Sequence, residues 1–549
     1  VLPLQKRTLV LLGIILCLAA FLRLYHLSSV PTELIADELD LYNSAYSIAT
    51  TGHDLDGNLK PFLYSRFTRN PPVYGFAAYA STLVFGKNAF ALRLPAVIFG
   101  LAAVLLMYGI ARRLTKRDDI ALAAALLMAT QPIFIQFSRV AWEPSSELPF
   151  LLAGLYALIV ALQRGLPMRW LVLAALLLGI TPYTYMTGWF YAAILGGGML
   201  LLNIRKLTSL TNVLKVCAAC ALCVLISWPA LQMVFFDPLT IGKTMRMATF
   251  AHGVTWEALR TFAANYASHF YVSYLVRTGD PKSGVTWRYL NGFGAFLWLV
   301  IPLAAAGVAA CYAYVRDKAM CAWVYLWLLA YPLAGALTND GAPNAPRTLA
   351  GAPVFCLLAA FGLAFFADWA RENARRAVYA AFVIACLVSA ALFSSFYFTA
   401  YVHRNSNAWD SGTGALFSAI RAHSAGYQRV CFAVRPAWYE TDVYSEFYLS
   451  GVPLQRVYDA SDPACSLRGT LIAADSQHEP RGMGLRVLAS VTDVDGARFA
   501  RLFARPPSPQ LVRSVARRAI REARERPRCG RASRPPRLTS CHAAIRSRR

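Results

Sequence analysis

The chain has 549 residues, of which 57% are hydrophobic and only 15% charged, with a formal net charge of +25. So few charges exclude a water-soluble multidomain protein, which at this length carries about 25% charged residues. The positive balance does not mark a nucleic-acid binder. Residues 505–549 alone hold fourteen Arg against two Glu, and no basic module interleaved with aromatic residues is present.

Runs of about 20 apolar residues recur along the chain, each long enough to cross ~30 Å of hydrocarbon. The first, Thr8 to Leu24, follows Lys6-Arg7 and lacks a small-residue cleavage site, so it reads as a retained span with a cytoplasmic N-terminus. An outer loop, 27–90, follows. It begins a helix-like segment at Asp37-Glu38-Leu39-Asp40-Leu41-Tyr42 and later reaches Arg69-Asn70-Pro71-Pro72-Val73-Tyr74. Val73 to Phe85 is apolar but short and aromatic, which suits the membrane interface.

Further spans are expected at 96–110, 119–136, 147–162, 170–181, 188–203, 213–230, 292–313, 320–337, 348–367 and 377–397. The inner segments of this arrangement carry sixteen Lys and Arg, against Arg139 and Arg347 in the three short outer turns. Basic loops stay in the cytoplasm, so the charge asymmetry supports the arrangement. The expected fold is thus an all-α polytopic membrane protein of about 11 transmembrane helices, with a second long outer loop at 236–291. An amphipathic helix is expected within that loop near Thr255–Tyr271.

A small soluble α/β domain outside the membrane is expected over 400–504. Val430–Val434 and Thr470–Ala474 read as buried strands, and Tyr444–Leu449 before Gly451 as a helix. Cys431 and Cys465 fall in this segment and pair if the compartment is oxidising. Cys217, Cys220 and Cys223 share one side of an apolar run and read as packing residues. The Arg- and Pro-rich stretch 505–549 has no hydrophobic periodicity and reads as a disordered tail.

Taken alone, Asp37 and Glu38 read as a helix start, since acids there complement the helix dipole. The same face of the membrane, however, also carries Arg69, Arg139 and Glu143. A carboxylate within hydrogen-bond reach of a weakly nucleophilic hydroxyl removes its proton during attack. A departing lipid phosphate needs a positive partner, and the planar fork of Arg provides one. Together these groups suit transfer of a sugar from a lipid phosphate to a hydroxyl, with inversion. The alternative is a transporter or flippase. Such proteins concentrate charge inside their spans and show repeated halves, and neither is evident here.

The pattern Asp37-Glu38 with Tyr42, then Asn70-Pro71-Pro72-Val73-Tyr74, Phe85-Gly86, Phe90-Ala91-Leu92-Arg93-Leu94-Pro95 and Ala111-Arg112-Arg113-Leu114 resembles the GT-C membrane glycosyltransferases. Within them it is similar to the bacterial relatives of protein O-mannosyltransferases and of the aminoarabinose transferase that modifies lipid A. Ser138-Arg139 with Glu143-Pro144, Tyr183-Thr184-Tyr185 and Pro346-Arg347-Thr348 also resemble family positions.

The resemblance implies a polyprenyl-phosphate sugar donor, a membrane lipid environment and an acceptor hydroxyl on a protein, lipid A or a glycan. Asp37 is implied as catalytic base, Glu143 as a second catalytic acid and Glu38 as a supporting acid. The family's Lys-Pro-Pro position is Asn70 here, which leaves Arg69, Lys60, Arg139 and Arg347 all open as phosphate partners. Tyr42, Asn70, Tyr74, Tyr183 and Tyr185 are implied substrate contacts, and the location is a bacterial inner membrane. Some GT-C enzymes use a divalent metal ion. Here His53 with Asp54-Leu55-Asp56-Gly57-Asn58 reads first as a turn, and no metal ligand is assigned.

Overall fold

The computed structural model describes residues 6–57, 59, 70–280, 288, 290, 292–339, 341–370, 372–433, 438–480 and 485–505. Lys60, Arg69 and residues 506–549 lie outside the described residues, so the expectations placed on them are not addressed by the structure.

Hydrocarbon offers the backbone no hydrogen-bond partner, so apolar runs must satisfy themselves as helices. Chain order gives α1 (Lys6–Leu24), α2 (Ala36–Thr51), α3 (Val73–Phe85), α4 (Ala89–Thr115), α5 (Asp118–Thr130), α6 (Pro132–Phe137), α7 (Pro144–Gln163) and α8 (Met168–Ile180). Next come α9 (Gly188–Tyr191), continued by a π-helical turn over Ala192–Gly197 into α10 (Gly198–Leu202), and then α11 (Leu210–Phe236). The second outer loop holds α12 (Pro238–Met247) and α13 (Trp256–Ser268), whose first turns are capped by Asp237 and Thr255.

The body is completed by α14 (Val300–Tyr314), α15 (Lys318–Ala330), α16 (Leu333–Ala336), α17 (Ala345–Thr348), α18 (Pro353–Trp369) and α19 (Glu372–Phe398). Among the described residues, six helices are long and apolar enough to span a membrane, and five more apolar helices are shorter. The chain is a polytopic membrane protein.

Several expected spans are broken rather than continuous. The run 119–136 stops after Thr130, because Pro132 supplies no N–H and biases Gln131 to extended backbone. The break is satisfied from elsewhere. Ile133 donates its N–H to Ala295 O at 3.1 Å, and Leu297 donates its N–H to Gln131 Oε1 at 2.8 Å. The run 292–313 becomes helical only at Val300, since its first residues supply those contacts. Charge also enters the helices: Arg23, Arg93 and Glu147 lie in α1, α4 and α7 and are fully buried.

After α20 (Ala400–Arg404), a β-containing domain packs α21 (Thr413–Ala422) and α22 (Trp438–Tyr448) against a five-stranded sheet. Its strands are β1 (Arg429–Ala433), β2 (Gln455–Val457), β3 (Thr470–Asp475), β4 (Arg486–Thr492) and β5 (Arg498–Arg505), in the order β2-β1-β3-β5-β4. β1 runs parallel to β2 and β3, while β5 is antiparallel to β3 and β4. Cys431 of β1 is bonded to Cys465 across a separation of 34 residues.

This domain sits on the first outer loop through apolar and polar contacts. Tyr42 meets the Phe447 ring edge-on at 5.4 Å, and Asn43 Nδ2 donates to Val443 O at 2.9 Å. Glu33 accepts from the Gly414 N–H at 3.0 Å and from the Tyr448 hydroxyl at 3.1 Å. A Cβ at 414 would come within 2.6 Å of the Glu33 carboxylate, so glycine is what admits this approach.

Candidate functional site

Asp37 and Glu38 occupy the first turn of α2 and part company there. Glu38 is buried. Its Oε2 accepts from the Ile35 N–H at 3.0 Å, which satisfies the N–H just before the helix. Its Oε1 accepts from Arg93 Nε at 3.0 Å and from the Ala141 N–H at 2.7 Å. Arg93 continues inward to the carbonyls of Pro31 and Glu33. Asp37, one residue earlier, is half-buried instead.

The Glu38–Ala141 bond sets the start of α2 against the turn that leads to Glu143. Glu143 is buried, and its carbonyl accepts from both the N–H and the hydroxyl of Ser146 at the start of α7. One helical turn on, Glu147 is fully buried and accepts from the Thr187 hydroxyl at 2.9 Å. Ser146 Oγ shares its proton with Thr184 O at 3.2 Å, which brings α7 against the 181–187 turn.

Tyr185, in that turn, gathers the rest. Burial raises its phenol well above the ordinary value, Glu143 and Glu147 add to the shift, and Arg347 and Arg288 oppose it. Two acids and two arginines therefore act on one buried phenol. Arg347 stands on α17, where Asn344 accepts from its backbone N–H, and Nη1 donates to the Thr338 hydroxyl.

Arg347 also forms part of the wall of a cavity of about 310 Å³, lined among others by Pro182, Thr187, Trp189, Phe190 and Met247. Apart from Arg347 and a few threonines, this lining is apolar.

The second outer loop supports the Arg347 segment. Asn344 donates its N–H to His269 Nε2 at 3.0 Å, while His269 Nδ1 meets Asn265 O at 2.7 Å, which fixes the Nδ1–H tautomer. Burial keeps this imidazole neutral, lowering it to about 4. Asp280 accepts from the Ala345 N–H at 3.2 Å and pairs with Arg288 at 3.1 Å.

Not every expected residue joins this cluster. Arg139 is wholly buried with its fork turned away, donating to the carbonyls of Leu22, Arg23 and Val30. It ties α1 to the turn before α7 and offers little to a phosphate. Tyr74 is buried with its hydroxyl on Leu92 O at 2.9 Å, joining α3 to α4. Tyr42 packs into the junction with the β-containing domain. Tyr183 donates to Ile226 O at 2.8 Å and pins the 181–187 turn to α11. Asn70 lines a small void beside α2 and α3 with Leu41, Ser44 and Pro72.

The Asp54–Gly57 stretch is a turn. Asp54 accepts the N–H groups of Asp56 and Gly57, and Gly57 takes a positive φ of 82°. Among the described residues, no set of three or more His, Cys, Asp or Glu gathers as a metal site.

Sequence reading passed over Glu147, Thr187, Asp280 and Arg288, and placed His269 only on an outer-loop helix that could close over the lipid. Glu147 had a usable signal, a carboxylate four residues after Glu143 at the edge of an apolar run. Thr187 reaches the cavity wall, and Asp280 with Arg288 the Arg347 segment, only through contacts the fold creates.

Residues 69–230 match the family described as dolichyl-phosphate-mannose-protein mannosyltransferase. No curated protein sequence matches the chain. Among solved structures, ArnT from Cupriavidus metallidurans bound to undecaprenyl phosphate is similar at a TM-score of 0.55 and 14% identity, covering 91% of this chain and 98% of that one. The archaeal oligosaccharyltransferase AglB from Archaeoglobus fulgidus, in complex with an inhibitory peptide and a dolichol-phosphate, is similar at 0.53 and 14% identity, covering 86% and 69%. The apo form of the Archaeoglobus fulgidus oligosaccharyltransferase gives 0.52 at 12% identity, covering 85% and 69%. The fold is the one these solved structures share.

Proposed function

We propose that the chain is an inverting glycosyltransferase that moves a sugar from a polyprenyl-phosphate donor to an acceptor hydroxyl at the outer face of a bacterial cytoplasmic membrane. The observation that carries this reading is the apolar cavity walled by Arg347, which acts with Glu143 and Glu147 on the buried Tyr185 phenol. An apolar chamber suits an isoprenoid, and the Arg347 guanidinium suits the phosphate.

In this reading Asp37 is the base. As the acceptor oxygen attacks the anomeric carbon, Asp37 takes its proton, and the bond from that carbon to the phosphate oxygen breaks. The electron pair leaves on the phosphate, where Arg347 stabilises the charge. Attack opposite the leaving group inverts the anomeric centre. Glu143 orients the reacting sugar or acceptor, and Glu38 acts through the placement of Asp37 rather than by touching substrate. Arg347 is preferred over Arg139 because the Arg139 fork is already engaged by carbonyls. Lys60 and Arg69 stay as further phosphate partners, and the reaction is written without a metal.

The test is turnover of a panel of labelled polyprenyl-phosphate sugars by purified protein. Asp37→Asn is expected to lower kcat by a factor of about 10²–10⁴. Arg347→Ala is expected to weaken donor use far more than Arg347→Lys. Full transfer by Asp37→Asn removes the base assignment, and movement of a panel member across vesicles without transfer replaces the enzyme with a transporter.

A further inference from the structure

Thr187 and Glu147 form a pair on the Arg347 cavity that the transfer chemistry does not use. Glu147 is fully buried; Oε1 accepts from Thr187, and Oε2 has no hydrogen-bond partner among the described residues. Burying a carboxyl with one oxygen unmatched opposes folding, so packing gives no reason for this acid.

Thr187 is equally out of pattern. It sits at the cap position of α9, where a threonine hydroxyl ordinarily accepts from the first helical N–H groups, yet it makes no such bond. Its hydroxyl turns to Glu147 instead.

The direction of that bond has a chemical consequence. A hydroxyl has one proton and two lone pairs. While Glu147 is ionised, the Thr187 proton is committed to it, and Thr187 then accepts from a ligand in the cavity it lines. Arg347 on the same cavity can only donate. A phosphate oxygen, itself an acceptor, is matched by Arg347 and mismatched at Thr187. A sugar hydroxyl or amine is matched at Thr187.

We infer that Thr187, oriented by Glu147, accepts a hydrogen bond from a hydroxyl or amine of the transferred sugar and thereby selects the donor. This rests on the proposed glycosyl transfer. Thr187 is the specificity residue, and Glu147 is a positioning residue that fixes which way the hydroxyl points.

The experiment compares kcat/KM for the preferred polyprenyl-phosphate sugar and for its analogues lacking one hydroxyl or amine at a time. Wild type is expected to lose about tenfold with one analogue and little with the others. Thr187→Ser should keep that discrimination, and Thr187→Val should treat parent and analogue alike. Glu147→Leu, which removes the acceptor and leaves the Thr187 hydroxyl free to turn, should weaken it; a merely structural role would lower both substrates equally.

Thermal melting in detergent shows that each variant is folded, and Thr187→Ser with Glu147→Leu decide the matter if Thr187→Val is not. Wild-type turnover without discrimination, or discrimination retained in full by the Val and Leu variants, overturns the assignment while leaving glycosyl transfer standing. No turnover of any polyprenyl-phosphate sugar overturns both.

Discussion

Glu38 and Arg93 form an ion pair at 3.0 Å with both side chains fully buried, and this pair separates the roles of two adjacent acids. Glu38 spends its oxygens on Arg93 and on the N–H groups of Ile35 and Ala141. Asp37 is left at the half-buried edge of the helix start. Removing one partner of a buried pair strands the other charge and costs about 3–5 kcal/mol. Glu38→Gln and Arg93→Ala are therefore expected to lower the melting temperature in detergent, whereas Asp37→Asn should melt as wild type while losing transfer.

The seat of the β-containing domain should respond to pH. Burial raises the Asp410 carboxyl to about 6, with Glu440 and Glu33 adding to the shift and the Tyr444 hydroxyl opposing it. Burial raises Glu33 as well, against the bonds from Gly414 and Tyr448 and the charge of Arg93. A carboxyl raised in the folded state binds its proton more tightly there than in the unfolded chain. Its stabilising contribution is complete below the ordinary carboxyl value and is lost as pH rises through about 6. Asp410→Asn is expected to gain stability relative to wild type at about pH 7.5 and little at about pH 4. Melting curves at the two pH values check this.

Gly307 of α14 and Gly362 of α18 let the two helices touch backbone to backbone. A Cβ at 307 would stand 1.8 Å from Leu358 O, and one at 362 would stand 1.9 Å from Leu303 O. Close approach of this kind holds helices together where no hydrophobic force separates lipid from protein. Gly362→Leu should force the pair apart at a cost of about 1–3 kcal/mol or more, read as earlier unfolding in detergent.

The bond between Cys431 and Cys465 closes a loop of 34 residues. By chain entropy its loss should cost about 3–4 kcal/mol, concentrated in the β-containing domain. The paired variant Cys431→Ser with Cys465→Ser is expected to expose β1 and the turn at Cys465 to protease while α1 through α19 stay protected. The described thiols left free, from Cys17 to Cys386, all lie in or beside membrane helices and are not substitutes.

What the sequence by itself determined is whatever depends on neighbouring residues. Apolar runs had to become helices, because hydrocarbon leaves a backbone no other partner. Asp37 and Glu38 had to begin one, since acids complement its first turn. The strands at Val430 and Thr470 were legible from short apolar runs, and the helix at Tyr444 from its glycine stop. Tertiary structure decided which faces and which charges meet. A span that is apolar all round does not announce its buried side, so the breaks near Gln131 and Ala192 were invisible until partners from 295–297 and the π-helical turn were in place.

The same limit governs the site. Glu38 is claimed by Arg93 across 55 residues, Arg139 by carbonyls more than 100 residues away, and Glu147 by Thr187 across 40. Charge patterning set the expectation that acids and arginines share one side of the membrane. Only long-range packing, which selects hydrogen-bond partners without regard to sequence distance, made Glu38 a brace, Arg139 a strut and Arg347 the cation on the cavity.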